Sequence, residues 1–183
     1  MRKLALIFFI FTLASPAHAT EQVAERAAQL DRLFGELHPA VTKREPDKII
    51  ADIWQIWGRN DSPTAEWLIR EGTAAMNAGE FDAAEKVFIQ LIESYPNFAE
   101  GWNKRATLYY MVGRYDASLV DIQHVLDLEP RHFGALAGKA AILRAQGKTK
   151  EALAVLREVL VINPHMASAI EAIKELEKTQ PDI

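Results

Sequence analysis

The 183-residue chain contains no cysteine. A disulfide framework, a thiol nucleophile and a lipid-modified N-terminal cysteine are therefore all excluded. The chain also lacks an excess of basic charge, because 21 Lys and Arg residues stand against 25 Asp and Glu residues, for a net charge of −4. Nucleic acid and anionic lipid both favour a positive protein surface, so neither is an expected partner.

Motifs for catalysis and for metal binding are missing as well. The sequence has no glycine-rich phosphate loop and no serine flanked by glycines in a nucleophile elbow. The histidines His38, His124, His132 and His165 are scattered, with no pair at ligand spacing on one helix face. We therefore expect no metal, no cofactor and no enzymatic activity.

Long apolar runs are confined to the N-terminus. Arg2 and Lys3 precede an apolar stretch over 4–14 that is too short to span a bilayer, and the small residues Ala17 and Ala19 then form a cleavage site. This pattern predicts a signal peptide over the first 19 residues, cut after Ala19. The remaining 19 basic and 25 acidic residues give a charge of −6. A cleaved signal without a lipidation cysteine predicts a periplasmic protein with no membrane span.

Two amphipathic helices are predicted in region 20–62. Their apolar residues recur at the spacing of one helix face: Leu30, Leu33, Phe34 and Leu37 in the first, and Ile50, Ile53, Trp54 and Trp57 in the second. Pro46 suits the start of the second helix and Gly58 its end. We expect this pair to cap the exposed face of the first of three repeat units that follow it in the sequence, with both tryptophans buried.

The dominant pattern is a period of 34 residues. Three position classes keep it without insertion: Gly79, Gly113 and Gly147; Pro96, Pro130 and Pro164; Ala84, Ser118 and Ala152. A fixed period of this length indicates stacked helix–turn–helix units. Each glycine closes the first helix of its unit, and each proline ends the second helix. The pattern predicts units over 65–98, 99–132 and 133–166, followed by a capping helix and tail over 167–183.

The repeated residues resemble the tetratricopeptide repeat family over 65–166. The middle unit carries the fullest match: Trp102, Ala106, Tyr109, Gly113, Tyr115, Asp116, Leu119 and Pro130. The other units match through Gly72, Gly79, Phe81, Ala84, Phe88 and Pro96, and through Leu136, Ala140, Gly147, Ala152, Leu156 and Pro164. The resemblance implies an all-α, right-handed solenoid of three helix hairpins that binds a protein or peptide. The strings at 99–110 and 128–136 also resemble a narrower group of secreted bacterial repeat proteins of unassigned activity.

The family lines its concave groove with the first helices of the units. By register, the resemblance places seven residues of this chain there: Ile69, Thr73, Met76, Asn103, Thr107, Tyr110 and Arg144. The family's clamp for acidic C-terminal peptides uses Lys, Asn and Arg at places that hold Ile69, Thr73, Lys104, Gly134 and Gly138 here. The clamp is therefore absent, which argues against binding of chaperone tails.

One repeat position, usually apolar in the family, holds the charged column Glu71, Arg105 and Lys139, and Asp121 stands where the other units have valine. We expect a network Glu71–Arg105–Asp121, with His124 or Arg131 near one end. Two interpretations stay open. The network is a structural ion pair between helices, or Arg105 is an anchor for a carboxylate on a partner.

The leading hypothesis from sequence is a periplasmic scaffold that holds a peptide or protein segment in its groove. An alternative is a binder of cell-envelope ligands such as peptidoglycan fragments, and an enzyme is the third and least favoured class. Three units form only a shallow arc, so self-association is also possible.

Overall fold

The computed structural model describes residues 16–38 and 45–179, with side chains from residue 21 onward. These residues form helices and connecting turns without a strand, which confirms the predicted all-α class. The helices are α1 (Pro16–Leu37), α2 (Pro46–Gly58), α3 (Pro63–Asn77), α4 (Phe81–Ser94), α5 (Ala99–Met111), α6 (Tyr115–Leu128), α7 (Phe133–Ala145), α8 (Thr149–Ile162) and α9 (Ala167–Thr179).

The last seven helices form the predicted stack of hairpins. Helices α3, α5 and α7, here called the A helices, each pair with the following helix, and these B helices are α4, α6 and α8. Each B helix also packs on the next helix of the chain, so that α9 covers α8. None of the described helices has the length and apolarity that a bilayer crossing requires.

The turn of each hairpin is closed by the repeated glycine. Gly79, Gly113 and Gly147 have φ angles of +78°, +76° and +72°, and they are the positive-φ residues of the described chain. Only glycine adopts this left-handed geometry without a steric penalty, so the 34-residue spacing of these glycines has a backbone cause.

Small residues allow close approach inside each hairpin. A Cβ at Gly72 would lie 2.5 Å from Cε1 of the fully buried Phe88. In the middle unit, Ser118 donates its hydroxyl hydrogen to the backbone oxygen of buried Ala106 at 2.7 Å. Larger side chains at these positions would overpack the hairpin.

The two N-terminal helices form where the sequence predicts them, since α1 ends at Leu37 and α2 spans Pro46–Gly58. Most of the predicted signal peptide lies outside the described residues. Residues 1–15 are not described, and the predicted cleavage position falls in a helical segment whose side chains are not described.

The N-terminal pair, defined as α1 and α2, packs on a different part of the stack from the one expected. Sequence predicted that it covers the face of the first repeat. Instead, its apolar residues share one core with the third repeat, for example Ile53 and Trp57 with Phe133 and Leu136. The backbone of α2 also lies near that of α5.

The cause lies in side-chain volume at the start of α7. Gly134 leaves a space that the Trp54 ring fills, because a Cβ at this glycine would lie 2.4 Å from Trp54 Cη2. Trp67 on α3 is 51% exposed, so this tryptophan of the first repeat is not covered by the pair. The position of α2 on the stack is therefore set by the fit of the Trp54 ring against Gly134.

Candidate functional site

We call the surface formed by the A helices, on which the sequence placed its groove residues, the A-helix face. The structure divides it into two parts. Helix α2 covers the part formed by the N-terminal ends of α5 and α7, through contacts of Trp54 and Trp57 with His132 and Phe133. The remainder, towards the C-terminal ends of the A helices, is the open part.

His132 is the centre of the covered part. Its ring is fully buried, stacks on the Trp57 ring at 4.1 Å between centroids and meets the Trp54 ring edge-on at 5.3 Å. Its Nδ1 accepts the backbone N–H of Ala135 at 3.1 Å, which caps the N-terminus of α7. With Nδ1 accepting, the ring proton resides on Nε2, which faces Glu100 Oε2 at 3.4 Å.

Glu100 is a buried carboxylate, only 4% exposed, with three polar neighbours. It accepts from Asn103 Nδ2 at 3.0 Å and lies 3.1 Å from Lys104 Nζ, in addition to the contact with His132. Burial alone would raise its pKa, but the hydrogen bond from His132 and the charge of Lys104 outweigh burial and leave the pKa below its ordinary value. The covered part therefore holds an ionised, fully engaged carboxylate.

Three of the seven predicted groove residues are buried. Asn103 is 9% exposed and its amide is engaged by Glu100. Ile69 and Met76 are also buried and belong to the core of the first repeat. Packing therefore leaves these three residues little surface for a partner, and the remaining surface of Ile69 lies in a cleft between α2 and α3.

The other four predicted residues lie on the open part. Thr107, Tyr110 and Arg144 are exposed and Thr73 is half-buried. The hydroxyls of Thr73 and Thr107 donate to carbonyl oxygens of their own helices, at 2.6 and 2.9 Å. Arg144 lies 3.6 Å from Glu175 of α9, and both side chains are about half exposed or more. Tyr110 and Arg144 are therefore the groups freest to contact a partner.

An open cleft of about 520 Å³ runs between α2 and the A helices α3 and α5. Trp54 forms one wall, and Ile69, Thr73 and Asn77 line the other. The cations Arg70 and Lys104 flank it, and Arg70 has no ion-pair partner among the described residues. The described residues contain no cluster of three side chains that could hold a metal ion. Glu100 also lines the cleft and pairs with Lys104, so the cleft offers an aromatic wall beside one unbalanced cation, Arg70.

The charged column contains one strong pair. Arg105 makes two parallel hydrogen bonds of 2.8 Å to Asp121, which is 1% exposed. These bonds raise the pKa of Arg105, against the opposing effect of burial. The guanidinium also lies over the rings of Trp102 and Tyr109, at 5.2 and 5.5 Å from their centroids. This pair is enclosed by its own neighbours, which favours the structural interpretation over a partner anchor.

The rest of the predicted network is not formed. Glu71 is exposed and makes no bond to Arg105, and Lys139 takes no part. His124 stacks on Trp102 at 4.1 Å, while Arg131 reaches Asp31 of α1 at 2.8 Å. The physical reason is that Arg105 points towards α6, where both carboxylate oxygens of Asp121 accept hydrogen bonds from its guanidinium.

Two residues of these networks have side-chain partners that sequence reasoning did not identify. Glu85 accepts hydrogen bonds from Tyr109 and Arg114, both at 2.8 Å, and these bonds lower its pKa. It stands where the other units hold leucine, and His132 stands where they hold Phe98 and Met166. A polar residue at a repeat position that is otherwise apolar is the signal that would have found both.

Comparison with known proteins agrees with this architecture. A family model described as Tetratricopeptide repeat matches residues 69–123 and 112–167. A TPR repeat-containing protein of Rhizobium etli is 37% identical over 185 aligned positions, covering 94% of this chain and 89% of the relative.

Solved structures share the fold at lower identity. The TPR domain of Arabidopsis OM64 superposes with a TM-score of 0.61 at 21% identity, covering 63% of this chain and 96% of that domain. The first TPR of Spaghetti, solved with the HSP90 peptide SRMEEVD, gives 0.62 at 20% identity, covering 67% of this chain and 97% of that one. The chain is a member of the tetratricopeptide repeat family.

Proposed function

We propose that the protein is an interaction scaffold that binds a peptide or protein segment on the open part of the A-helix face. The observation that carries this proposal is the cleft between α2, α3 and α5, with Trp54 as an aromatic wall and Arg70 as a cation that has no ion-pair partner within the described part of the chain. A structural neighbour, the first TPR of Spaghetti, is described with a bound peptide, which supports the use of this fold for peptide binding.

The lining indicates the chemistry of the segment. Arg70, Lys104 and Arg144 lie on or beside the open part, although the whole chain carries a net charge of −4. Lys104 and Arg144 are paired with Glu100 and Glu175, so Arg70 is the cation of this set without an ion-pair partner among the described residues, and it favours a segment that carries a carboxylate. Tyr110 supplies contact area together with a polar tip.

The mode of binding differs from the family's clamp. One clamp place is Gly134, and the Trp54 ring lies directly over it. Two others hold Ile69, which is buried, and Thr73, whose hydroxyl is engaged by its own helix. A segment on this protein therefore uses Arg70, Tyr110 and Arg144 instead of the clamp.

A photo-crosslinking amino acid in place of Tyr110 tests the proposal in intact cells. The matched control carries it in place of Val161, which is 82% exposed on α8. We expect a partner to crosslink at position 110 and not at position 161. The purified partner should lose binding to the Arg70→Glu variant and should bind the Arg157→Glu variant normally. Equal capture at both positions, or no capture, would reject the proposal.

We also propose that the protein acts in the periplasm. The support is the sequence of the first 19 residues, with its basic start, short apolar run and small residues at positions 17 and 19. N-terminal sequencing of the protein purified from a native host should find Thr20 as the first residue. A cytoplasmic protein that starts at Met1 would contradict this.

A further inference from the structure

Helix α2 sits on the A-helix face in the way that a bound helix would. Its buried side consists of Ile49, Ile53 and Trp57, and Trp54 reaches Gly134 from the flank of this side. Helix binding in a groove uses apolar residues at this kind of spacing. The covered part thus already shows which ligand shape it accepts, namely an amphipathic helix with aromatic residues.

One polar group in the contact lacks a hydrogen bond that water could supply. Trp57 Nε1 is buried and has no hydrogen-bond partner among the described residues. Glu100 and His132 are buried as well, but their hydrogen bonds run to Asn103, to Ala135 and to each other within the stack, so departure of α2 would break none of them. Because Trp57 Nε1 would gain water and these bonds would be kept, lifting α2 away costs chiefly its apolar contact.

The edges of the contact are held weakly. Arg131 pairs with Asp31 at 2.8 Å and Arg26 approaches Asp61 at 3.9 Å, and all four side chains are more than a third exposed. Exposed ion pairs of this kind contribute little, and Arg131 adds a contact of its guanidinium with the Phe34 ring of α1 at 4.4 Å. The strength of the contact therefore resides in the apolar side of α2, which is the part that another helix could reproduce.

We propose that the covered part is a helix-binding site, that α2 is its resident occupant, and that an amphipathic helix of a partner takes the place of α2. The partner helix carries aliphatic and aromatic residues at the spacing of Ile49, Ile53, Trp54 and Trp57. This inference rests on the proposed function in one respect, that the partner meets the A-helix face. It adds a competition between α2 and the partner for the covered part.

A crosslink in the full-length chain tests the competition, because the chain has no native cysteine. The variant Asp31→Cys/Arg131→Cys, bridged by a short bis-maleimide, holds the N-terminal pair on the stack. The matched control, Arg157→Cys/Glu177→Cys, replaces an exposed ion pair of 3.0 Å between α8 and α9 and is bridged in the same way. The probe is a fluorescent synthetic peptide with the sequence of residues 46–58, and a peptide with the same residues in scrambled order controls for composition.

We expect bridging at 31 and 131 to weaken probe binding by about tenfold or more, measured by anisotropy before and after bridging of the same variant. Bridging at 157 and 177 should change it by less than about twofold. Equal probe binding by the bridged and unbridged 31/131 variant would overturn the inference, as would equal binding of the scrambled peptide.

A glycine pair on α7 supplies the opposite perturbation. Gly134→Val forces its side chain against Trp54, whereas a Cβ at Gly138 makes an ordinary contact of 3.5 Å with Ile122, so Gly138→Val is the control. We expect faster hydrogen exchange in α2 for Gly134→Val alone, together with about tenfold tighter binding of a probe peptide that carries alanine in place of Trp54, because this peptide lacks the ring that would meet the valine. Faster exchange without tighter binding would contradict the proposal. If Gly134→Val fails to fold, the crosslink decides.

The two proposals fail separately. Partner capture at Tyr110 together with probe binding that ignores the crosslink would reject the helix-exchange inference and leave the scaffold intact. If bridging weakens probe binding but no partner is captured at Tyr110, the open part is rejected as the binding surface of the scaffold, and the helix-exchange inference stands.

Discussion

The covered and open parts of the A-helix face both belong to the A helices but differ in what their polar groups do. In the covered part, Glu100, Asn103 and His132 are buried and bonded to one another. In the open part, Tyr110 and Arg144 are exposed, and Arg144 pairs with the exposed Glu175 at 3.6 Å.

The difference shows how one face can serve stability and recognition at once. A buried polar group must be bonded, so a substitution in the covered part lowers stability. An exposed side chain has little effect on folding and is free to contact a partner. Substitutions should therefore separate the two parts by their effects on unfolding and on binding.

The largest expected effect is that of Trp57→Ala. Trp57 is 6% exposed and packs on Phe34, Trp54, His132 and Phe133. Loss of a buried aromatic side chain costs about 3–5 kcal/mol of unfolding free energy. Urea unfolding should show this loss. A loss below about 1 kcal/mol would mean that α2 does not rest on the stack as described.

The charged column extends the comparison into the middle unit. Asp121→Ala leaves Arg105 without its partner beside two aromatic rings, and removal of one member of a largely buried pair costs about 3 kcal/mol. Glu71→Ala, on the exposed end of the column, should change stability by less than about 0.5 kcal/mol. Thermal melts of both variants and of Arg105→Ala measure this. Equal losses of stability for Glu71→Ala and Asp121→Ala would support the predicted network Glu71–Arg105–Asp121.

The next effect depends on pH. The pKa of Glu100 lies below its ordinary value of 4.5, so folding favours the ionised form. The stability that ionised Glu100 contributes is therefore complete above pH 4.5, and it is lost as the pH falls through the lower pKa of the folded state. Glu100→Gln should lose about 1–3 kcal/mol at pH 7, and the difference from wild type should shrink in acid.

Glu66→Gln is the matched control, because Glu66 occupies the equivalent repeat position and is exposed. Its stability should follow that of wild type at every pH. A wild-type advantage over Glu100→Gln that is independent of pH down to 3 would show that the charge of Glu100 does not stabilise the covered part.

The smallest effect on stability is expected for Tyr110→Ala. Tyr110 is 36% exposed and contacts Tyr115 at a ring distance of 5.8 Å. We expect less than about 1 kcal/mol of lost stability, together with clear loss of partner binding. Val161→Ala on α8 should change neither. Normal partner binding by folded Tyr110→Ala would remove this residue from the site.

The repeats were predictable because the period places each residue. The positive-φ glycines and the contact between Gly72 and Phe88 follow from a spacing that any three hairpins of this kind must keep. Short-range geometry repeated three times leaves few alternative packings. The all-α fold and the helix pairing were therefore accessible from the sequence.

The covered part was not predictable in the same way. The helix pattern of α2 marks its apolar side but not the surface that this side meets. That choice depended on a long-range fit between Trp54 and Gly134, and neither residue is informative without the other. His132 and Glu85 did leave a signal, since each breaks the apolar pattern of its repeat position.

The most direct test of the account is whether α2 lies on α7 in solution. The rings of Trp57 and His132 are stacked with centroids 4.1 Å apart although the residues are 75 positions apart in sequence. Nuclear Overhauser spectra of the labelled full-length protein should show cross-peaks between protons of these two rings. Cross-peaks within the three hairpins, but none between Trp57 and His132, would contradict the division of the A-helix face into a covered and an open part.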